Sequence, residues 1–166
     1  FTSPLVGAMA ANQIDDKGVR VHCSQCGKTN RLPFAKLGEA GGKCGQCGAS
    51  LAGALEHTAD VLDERAFEAL IRDSAVPVLV DYWAPWCGPC RMVAPELDKV
   101  AKRNGGRFLI AKVDTEKLRS VGAQMGVQSI PTMALYQRGR EFARSEGARP
   151  AGQIEAFVAQ SLASRA

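Results

Sequence analysis

The chain carries six cysteines, which fall into three pairs that share the spacing C-x-x-C. The pairs are Cys23/Cys26, Cys44/Cys47 and Cys87/Cys90. Thiols at this spacing hold a metal ion, close a small disulfide ring or exchange disulfides with other proteins. The residues around each pair decide between these chemistries.

The third pair lies where an apolar segment passes into a helical pattern. We expect Cys87 to sit outermost on the first turn of that helix, with Cys90 recessed. Backbone N–H groups and the positive end of the helix dipole at that position lower the pKa of a thiol. The spacing alone fits a zinc knuckle or an inert pair equally well, but the strand-then-helix context and the flanking Trp83 and Trp86 favour a redox-active pair.

The first two pairs match the spacing C-x₂-C-x₁₇-C-x₂-C, which is typical of zinc sites. Few large apolar residues lie between positions 15 and 53. Apolar burial alone therefore does not offset the conformational entropy that this segment loses on folding, and it needs a cross-link such as a bound metal ion. Glycines after each pair permit tight turns that point N–H groups at a sulfur. We predict one structural Zn²⁺; iron, or two disulfides or free thiols, are the alternatives. The predicted ligands are Cys23, Cys26, Cys44 and Cys47.

The remaining sequence alternates helical and strand patterns. A helix begins at Asp63, and an apolar strand runs from Val78 to Trp83. Further along the chain the pattern predicts a helix from Cys87 to Gly105, a strand over 108–113, a helix over 118–125, a hairpin around Arg138-Gly139 and a helix from Pro150. This order predicts an α/β fold, a mixed sheet with an antiparallel edge and helices on both faces.

Residues 55–163 resemble thioredoxin, since the segment 83–90 (WAPWCGPC) matches that family's active-site motif completely. Further matches follow in the same order along the chain, namely Asp81, Pro95, Lys112, Ile130-Pro131-Thr132 and Gly147. Together with the four amino-terminal cysteines, the whole chain resembles the thioredoxin-2 subgroup. The resemblance implies the thioredoxin fold preceded by a small Cys₄ zinc-ribbon-like module. Glu146 departs from the pattern, because an apolar residue is frequent at its position in that family.

The resemblance implies a division of roles at the redox pair. Cys87 attacks a target disulfide and forms a mixed disulfide, and Cys90 then attacks Cys87 and releases the reduced target. Asp81 is the candidate base for the Cys90 proton, and desolvation in its apolar strand should raise its pKa. Lys112 is expected near Asp81, although a surface position on its strand is an alternative.

The same resemblance implies a docking rim for extended substrate chains. The Ile130–Pro131 bond is cis in this family, which leaves the Ile130 backbone free to pair with a substrate strand. The expected substrate-binding residues are Trp86, Gly88, Pro89, Ile130, Pro131, Gly147 and Ala148. Trp83 is expected to pack in the core and to hold the active-site loop.

We predict a general protein disulfide reductase that is recharged by an NADPH-dependent thioredoxin reductase and binds no organic cofactor. Its other partners are disulfide-containing substrate proteins. A zinc-ribbon binding module with a thioredoxin-like docking scaffold is one alternative, and an insulin-reduction assay separates it. A disulfide oxidant or isomerase is another, and a redox-potential measurement against glutathione separates that.

Composition restricts the classes of function. The chain has 166 residues, 46% hydrophobic and 23% charged, with a net charge of +4. This charge is too small and dispersed for nucleic acid as the main partner, and no apolar run is long enough to cross a membrane. The amino end has no basic start typical of a secretory signal, so we expect a cytoplasmic protein. We also expect Met9 to be the native first residue, with 1–8 a processed or engineered end.

These patterns predict three parts of the chain. Residues 1–14 are expected to be disordered or added by engineering. Residues 15–53 form the Cys₄ zinc-binding module, and residues 54–166 form the thioredoxin domain. His22 and His57 are expected to bind no metal, since four cysteines complete the site.

Overall fold

The computed structural model describes residues 12–38 and 42–165. Met9 and the segment 1–8, for which a processed or engineered end was expected, lie outside the described residues. The eight strands are Asn12–Ile14 (β1), Gly18–His22 (β2), Thr29–Pro33 (β3), Ala59–Val61 (β4), Val78–Trp83 (β5), Leu109–Asp114 (β6), Thr132–Gln137 (β7) and Arg140–Glu146 (β8). The four α-helices of the described residues are Glu64–Asp73 (α1), Gly88–Asn104 (α2), Arg119–Gln124 (α3) and Ala151–Ser164 (α4).

All eight strands belong to one sheet, in the order β3-β2-β1-β4-β6-β5-β7-β8. The four central strands, β1, β4, β6 and β5, are parallel to one another, whereas β7 pairs antiparallel with β5 and β8 pairs antiparallel with β7. At the other end of the sheet, β2 and β3 add a second antiparallel edge. The predicted α/β class with a mixed sheet is confirmed.

Local signals in the sequence account for the elements that were predicted. Asp63 caps α1, because its carboxylate accepts a hydrogen bond from the Ala66 N–H at 2.8 Å. The β7–β8 hairpin turns at Arg138 and Gly139, whose φ angles are 56° and 79°. Two successive positive φ angles are those of a type I′ turn, whose twist matches that of the flanking strands.

The amino-terminal segment differs from the expectation. Asn12–Ile14 were placed in a disordered or added end, yet they form β1 and pair with β4. Both β4 and the three strands before it were missed, because each is short and carries polar residues on one face. Asp15 connects β2 and β3 through its carboxylate. It is 7% exposed and accepts hydrogen bonds from Arg20 and Arg31 at 2.8 and 2.7 Å.

Two apolar cores lie on opposite faces of the sheet. On one face, α1 and α3 cover Val78, Val80 and Tyr82, and residues from before position 53 join the same cluster. Those contributors include Ile14, Val19, Val21, Phe34 and Leu37. On the other face, α2 and α4 pack on Leu79, Ile110 and Met133. The four-cysteine region therefore shares a core with the rest of the chain.

Within 12–38 and 42–165, none of the helices combines the length and the apolar content needed to cross a bilayer.

Candidate active site and candidate metal site

Cys87 and Cys90 are joined in a disulfide at the start of α2, with their Cα atoms 5.2 Å apart. Cys87 is the N-cap residue of this helix, and the Cys90 N–H points at its sulfur at 3.2 Å. This is the predicted place for a thiol whose pKa is lowered by a helix N-terminus. Cys87 was expected to be clearly outermost, but the two residues are almost equally exposed, at 4% and 3%.

The loop before β7 lies against the redox pair. The Cys87 sulfur is 3.9 Å from the Ile130 carbonyl oxygen, and the Ile130–Pro131 peptide bond is cis, as the resemblance implied. Gly147 adjoins this loop, because its N–H donates to the Pro131 carbonyl at 2.9 Å. Gly147 and Ala148 are both exposed. The structure thus brings together the predicted rim residues Ile130 and Pro131, which precede β7, and Gly147, which follows β8.

Trp86 lies beside Cys87 and is 66% exposed, which is unusual for so large an apolar side chain. Its indole N–H donates to the Glu116 carboxylate at 2.6 Å. Glu116 follows β6, thirty positions away, and no local sequence signal could have indicated this contact. The hydrogen bond fixes the indole orientation while leaving its apolar face in solvent.

Asp81 lies in the middle of β5 and is 1% exposed. Neither of its carboxylate oxygens has a hydrogen-bond partner within the described residues. Burial raises the pKa of Asp81 to about 7, while the positive charge of Lys112 acts in the opposite direction. The predicted burial of this acid in its apolar strand is therefore found.

Lys112 on β6 is the register partner of Asp81 in the adjacent strand. Side chains of directly opposed strand residues lie on the same face of a sheet. The Lys112 ammonium lies 4.8 Å from the centre of the Trp83 ring, a cation–π arrangement. Trp83 also packs against the cluster of Ala84, Cys87 and Cys90, as expected.

A third charged residue lies next to Asp81 and Lys112 on this face of the sheet, and it was not predicted from the sequence. Asp60 on β4 is the register partner of Lys112 on the side away from Asp81. Lys112 is thus flanked by two acids. Partial burial raises the pKa of Asp60, whereas Lys112 and Lys117 lower it and Asp114 raises it. Only the parallel register of β4 and β6 brings Asp60 here, and that register is not visible in the sequence.

Replacing Asp60 by Asn should lower the pKa of Asp81. The substitution removes the negative charge of residue 60. The positive charge of Lys112 then acts on Asp81 without an opposing charge and favours the ionised form of Asp81. Because the Asp60 side chain remains partly exposed to solvent, the expected shift is about half a pH unit. Carbon-13 NMR titration of the Asp81 carboxyl measures it, with Asp98→Asn on α2 as the control. An unchanged or raised Asp81 pKa would contradict this coupling.

The other four cysteines come together in the folded chain. The sulfur atoms of Cys23, Cys26, Cys44 and Cys47 all lie within 4.8 Å of one another. Two of the distances, Cys23 to Cys47 and Cys26 to Cys44, are 3.6 Å. A tetrahedral ion with Zn–S bonds of about 2.3 Å places its ligands ~3.8 Å apart. The cluster therefore has the geometry of a tetrahedral thiolate metal site.

Neutral hydrogen-bond donors surround the buried member of each pair. The Gln25 N–H points at the Cys23 sulfur and the Gln46 N–H at the Cys44 sulfur, both at 3.4 Å. The N–H of Cys47, the Asn30 amide and the Gln46 N–H lower the pKa of Cys44 to about 6. Such contacts stabilise thiolates, the form that binds metal ions. Asn30 was missed as a supporting residue, because it lies fourteen positions before Cys44.

A cleft of about 600 Å³ lies beside this cluster. His22, His57 and Cys26 are among its lining residues, whereas Cys87 and Cys90 are not. His22 contacts Thr29 at 3.2 Å, and His57 is exposed. Neither histidine belongs to the four-cysteine cluster.

Comparison with known families agrees with both sites. Residues 58–160 match the family model described as "Thioredoxin". The chain belongs to the thioredoxin family. Residues 22–49 match the model described as "Thioredoxin 2, N-terminal", a zinc ribbon. The resemblance to thioredoxin-2 is thereby confirmed, and the four cysteines are placed to bind a metal ion.

Individual thioredoxins are similar to this chain over most of their own length. Thioredoxin C-3 of Corynebacterium nephridii is 40% identical over 140 residues, which cover 84% of this chain and 93% of that protein. The thioredoxin of Haemophilus influenzae is 40% identical over 101 residues, 61% of this chain and 94% of that protein. Thioredoxin 1 of a Nostoc strain is 46% identical over 87 residues, 52% of this chain and 81% of that protein. The chain is thus a thioredoxin-type protein-disulfide reductase.

Proposed function

We propose that this thioredoxin reduces disulfides in other proteins through the Cys87-Gly88-Pro89-Cys90 segment. The observation that carries the proposal is the disulfide at the N-terminus of α2, beside an exposed Trp86 and the Ile130 carbonyl. A helix N-terminus stabilises a thiolate, and an open rim admits a protein substrate rather than a small molecule.

Cys87 is the nucleophile in this scheme. Its thiolate attacks one sulfur of the target disulfide, forming a mixed disulfide and releasing the other target sulfur as a thiolate. The Cys90 N–H, 3.2 Å from the Cys87 sulfur, stabilises negative charge there before the attack. The leaving thiolate takes a proton from solvent.

Cys90 resolves the mixed disulfide. After losing its proton, its thiolate attacks the Cys87 sulfur, and the second target sulfur leaves. Two electrons have then moved from the cysteine pair to the target. Asp81 is the proposed acceptor of the Cys90 proton, directly or through a water, because a pKa of about 7 suits an acid–base group at neutral pH. Lys112 tunes that pKa from the adjacent strand.

The docking rim comprises the residues around the redox pair. Within the described residues, the Ile130 N–H takes part in no hydrogen bond, so it is free to pair with an extended target strand. Trp86 supplies apolar contact on the other side of Cys87. Gly147 and Ala148 complete the rim, and their lack of bulk leaves room for a target backbone.

The four-cysteine cluster is proposed to bind one Zn²⁺, which stabilises the turns at Cys23–Cys26 and Cys44–Cys47 when bound. Four thiolates suit this ion, and the observed sulfur separations fit its tetrahedral geometry. The N–H donors around Cys23 and Cys44 hold the ligands as thiolates. The role of the ion in this proposal is structural, with Cys87 and Cys90 free of metal.

The oxidised pair is proposed to be recharged by an NADPH-dependent thioredoxin reductase, as the family implies. A cytoplasmic location is proposed because four reduced thiols and a dithiol reductant both suit a reducing compartment. The partners are therefore the reductase and disulfide-containing proteins.

Insulin reduction tests this function. The protein with NADPH and a thioredoxin reductase should precipitate insulin B chains, while a Cys87→Ser/Cys90→Ser double variant should not. No turnover by the parent would instead support a docking scaffold. Equilibration with glutathione then gives the redox potential, and a potential near that of known oxidants would overturn the reductase assignment.

Replacing Asp81 by Asn should slow resolution of the mixed disulfide near neutral pH without preventing its formation. Loss of a positioned acid–base group costs about 10²–10⁴-fold, and less where water substitutes. Stopped-flow fluorescence of Trp83 and Trp86 across pH 6–8 follows this step. An unchanged rate over that range would remove Asp81 from the mechanism.

The same variant should be more stable than the parent at high pH. A pKa raised by burial from 3.8 to about 7 means that ionisation favours unfolding as pH rises from about 4 to 7. At about 1.4 kcal/mol per pKa unit, the parent should lose up to ~4 kcal/mol through Asp81 over this range. Urea unfolding at pH 4 and pH 8 measures the loss, which Asp81→Asn should abolish.

A further inference from the structure

The docking rim carries acidic side chains in addition to its apolar ones. Glu146, the last residue of β8, is exposed and immediately precedes Gly147. Its carboxylate accepts a hydrogen bond from the Ser129 hydroxyl at 3.2 Å, which holds it over the loop that precedes Pro131. Ser129 is adjacent to Ile130, whose backbone faces Cys87. The negative charge is therefore fixed at the edge where a target strand would pair.

The strand register shows which positions of a paired target strand the Glu146 carboxylate can contact. Glu146 is the antiparallel partner of Thr132, two positions after Ile130. Opposed residues of antiparallel strands are about 5 Å apart, and a target strand advances ~3.3 Å per residue. A strand that pairs with Ile130 while its cysteine meets Cys87 thus brings a flanking side chain within reach of Glu146.

A second acid lies on the opposite side of Cys87. Glu116 bonds to the Trp86 indole at 2.6 Å and carries only a long, exposed ion pair to Arg119 at 3.4 Å. Within the described residues, Glu146 takes part in no ion pair, and the nearby Arg149 is exposed and does not bridge to it. Arg91 on α2 is the exposed cation next to Cys90. Among the described residues, Glu146 is thus the acid of the rim without an ion pair, and it lies on the Ile130 side.

We propose that Glu146 is a specificity-determining residue that favours target proteins with lysine or arginine within two residues of the reactive cysteine. This proposal rests on the proposed reductase function and adds the chemical class of its preferred partners. A basic side chain gains a charge interaction with Glu146, and an acidic side chain is repelled by it. Because the rim is exposed, the effect acts mainly on the rate of association and weakens with salt.

Two reporter peptides test the preference. They share one sequence with a single disulfide-linked cysteine and differ only in having Lys or Glu at the flanking positions. At low ionic strength the parent should reduce the Lys peptide about 5-fold faster, which is the upper end of what one exposed charge pair contributes. Glu146→Gln should bring this ratio below about twofold, Glu146→Lys should invert it, and ~0.5 M salt should abolish it in the parent.

Glu68→Gln on the exposed side of α1 is the matched control, because it removes the same charge away from the rim and should keep the parent's ratio. A ratio that is unaffected by both Glu146 variants, while both peptides are still reduced, overturns the specificity role and leaves the reductase function intact. Failure to reduce either peptide overturns the reductase function, and the preference with it.

Discussion

Replacing Cys90 by Ser should convert the protein into a trap for its own targets. Cys87 keeps its place as N-cap of α2 and still attacks a target disulfide, but no second thiol stands one turn away to resolve the product. Well-oriented intramolecular groups act at effective concentrations of about 10⁵ M or more, which millimolar external thiols cannot replace. Mixed disulfides on Cys87 should therefore accumulate, visible on non-reducing gels and by mass spectrometry, and insulin turnover should fall to background.

Cys87→Ser is the matched control for this trap. It should lose insulin reduction equally but capture no target, since Cys87, the N-cap residue of α2, is the proposed attacking thiol and the remaining Cys90 is not. If both single variants turn over insulin like the parent, the redox chemistry does not reside in this pair. If Cys87→Ser is the variant that captures targets, the two roles are reversed.

Much of the fold around the redox pair follows from local signals. Asp63 predicts where α1 begins, and Arg138-Gly139 predicts the hairpin turn, because a cap and a turn depend on few neighbouring residues. The continuous apolar run in β5 likewise indicates a buried strand. The single acid within that run, Asp81, stands out for the same reason, so its burial was predictable.

The elements that were missed depend on distant partners. Gly18–His22 alternates apolar and polar residues, yet Val19 and Val21 are too few to form a core of their own. They are buried because α1 and β4, which lie much later in the chain, complete the same cluster. The apolar residues of the amino-terminal segment were considered by themselves in the sequence analysis. In the structure, that segment packs against the rest of the domain.

The charged contacts at the site were missed for a related reason. Asp60 meets Lys112, and Glu116 meets Trp86, only after the sheet is assembled. Sequence spacing gives the face on which a side chain lies, but not which residue of another strand lies opposite. The residues of the redox and metal pairs, in contrast, are marked by a spacing of three within one short segment.

Removal of the metal ion should destabilise the amino-terminal segment far more than the redox site. The turns at Cys23–Cys26 and Cys44–Cys47 have little apolar content, so ion binding supplies the free energy that orders them. We expect one zinc per intact chain by metal analysis, four thiols protected from labelling by it, and Cys87 and Cys90 outside this count. Oxidation of the four thiols should release the ion, because disulfide sulfurs are poor ligands.

A chain that begins at Gly53 should bind no zinc and still reduce insulin. Asp81, Cys87, Cys90 and Ile130 all follow Gly53, as does the whole core between the sheet and helices α2 and α4. The truncated chain nevertheless loses β1 from the edge of β4 and the packing of Ile14 and Phe34 on the shared core. Because large apolar side chains contribute about 2–5 kcal/mol each in a core, its free energy of unfolding should fall by several kcal/mol.

Urea unfolding of the full chain with zinc, the full chain with chelator and the truncated chain separates these contributions. The chelated chain should lie between the other two, since β1–β3 retain their apolar contacts when the ion leaves. The insulin rates of all three should agree within about twofold at temperatures where each is folded, since none of the proposed catalytic groups contacts the cluster. A folded but inactive truncated chain would show that the amino-terminal segment takes part in catalysis. Equal stability of all three would show that the shared core contributes nothing, contrary to the burial of Ile14 and Phe34.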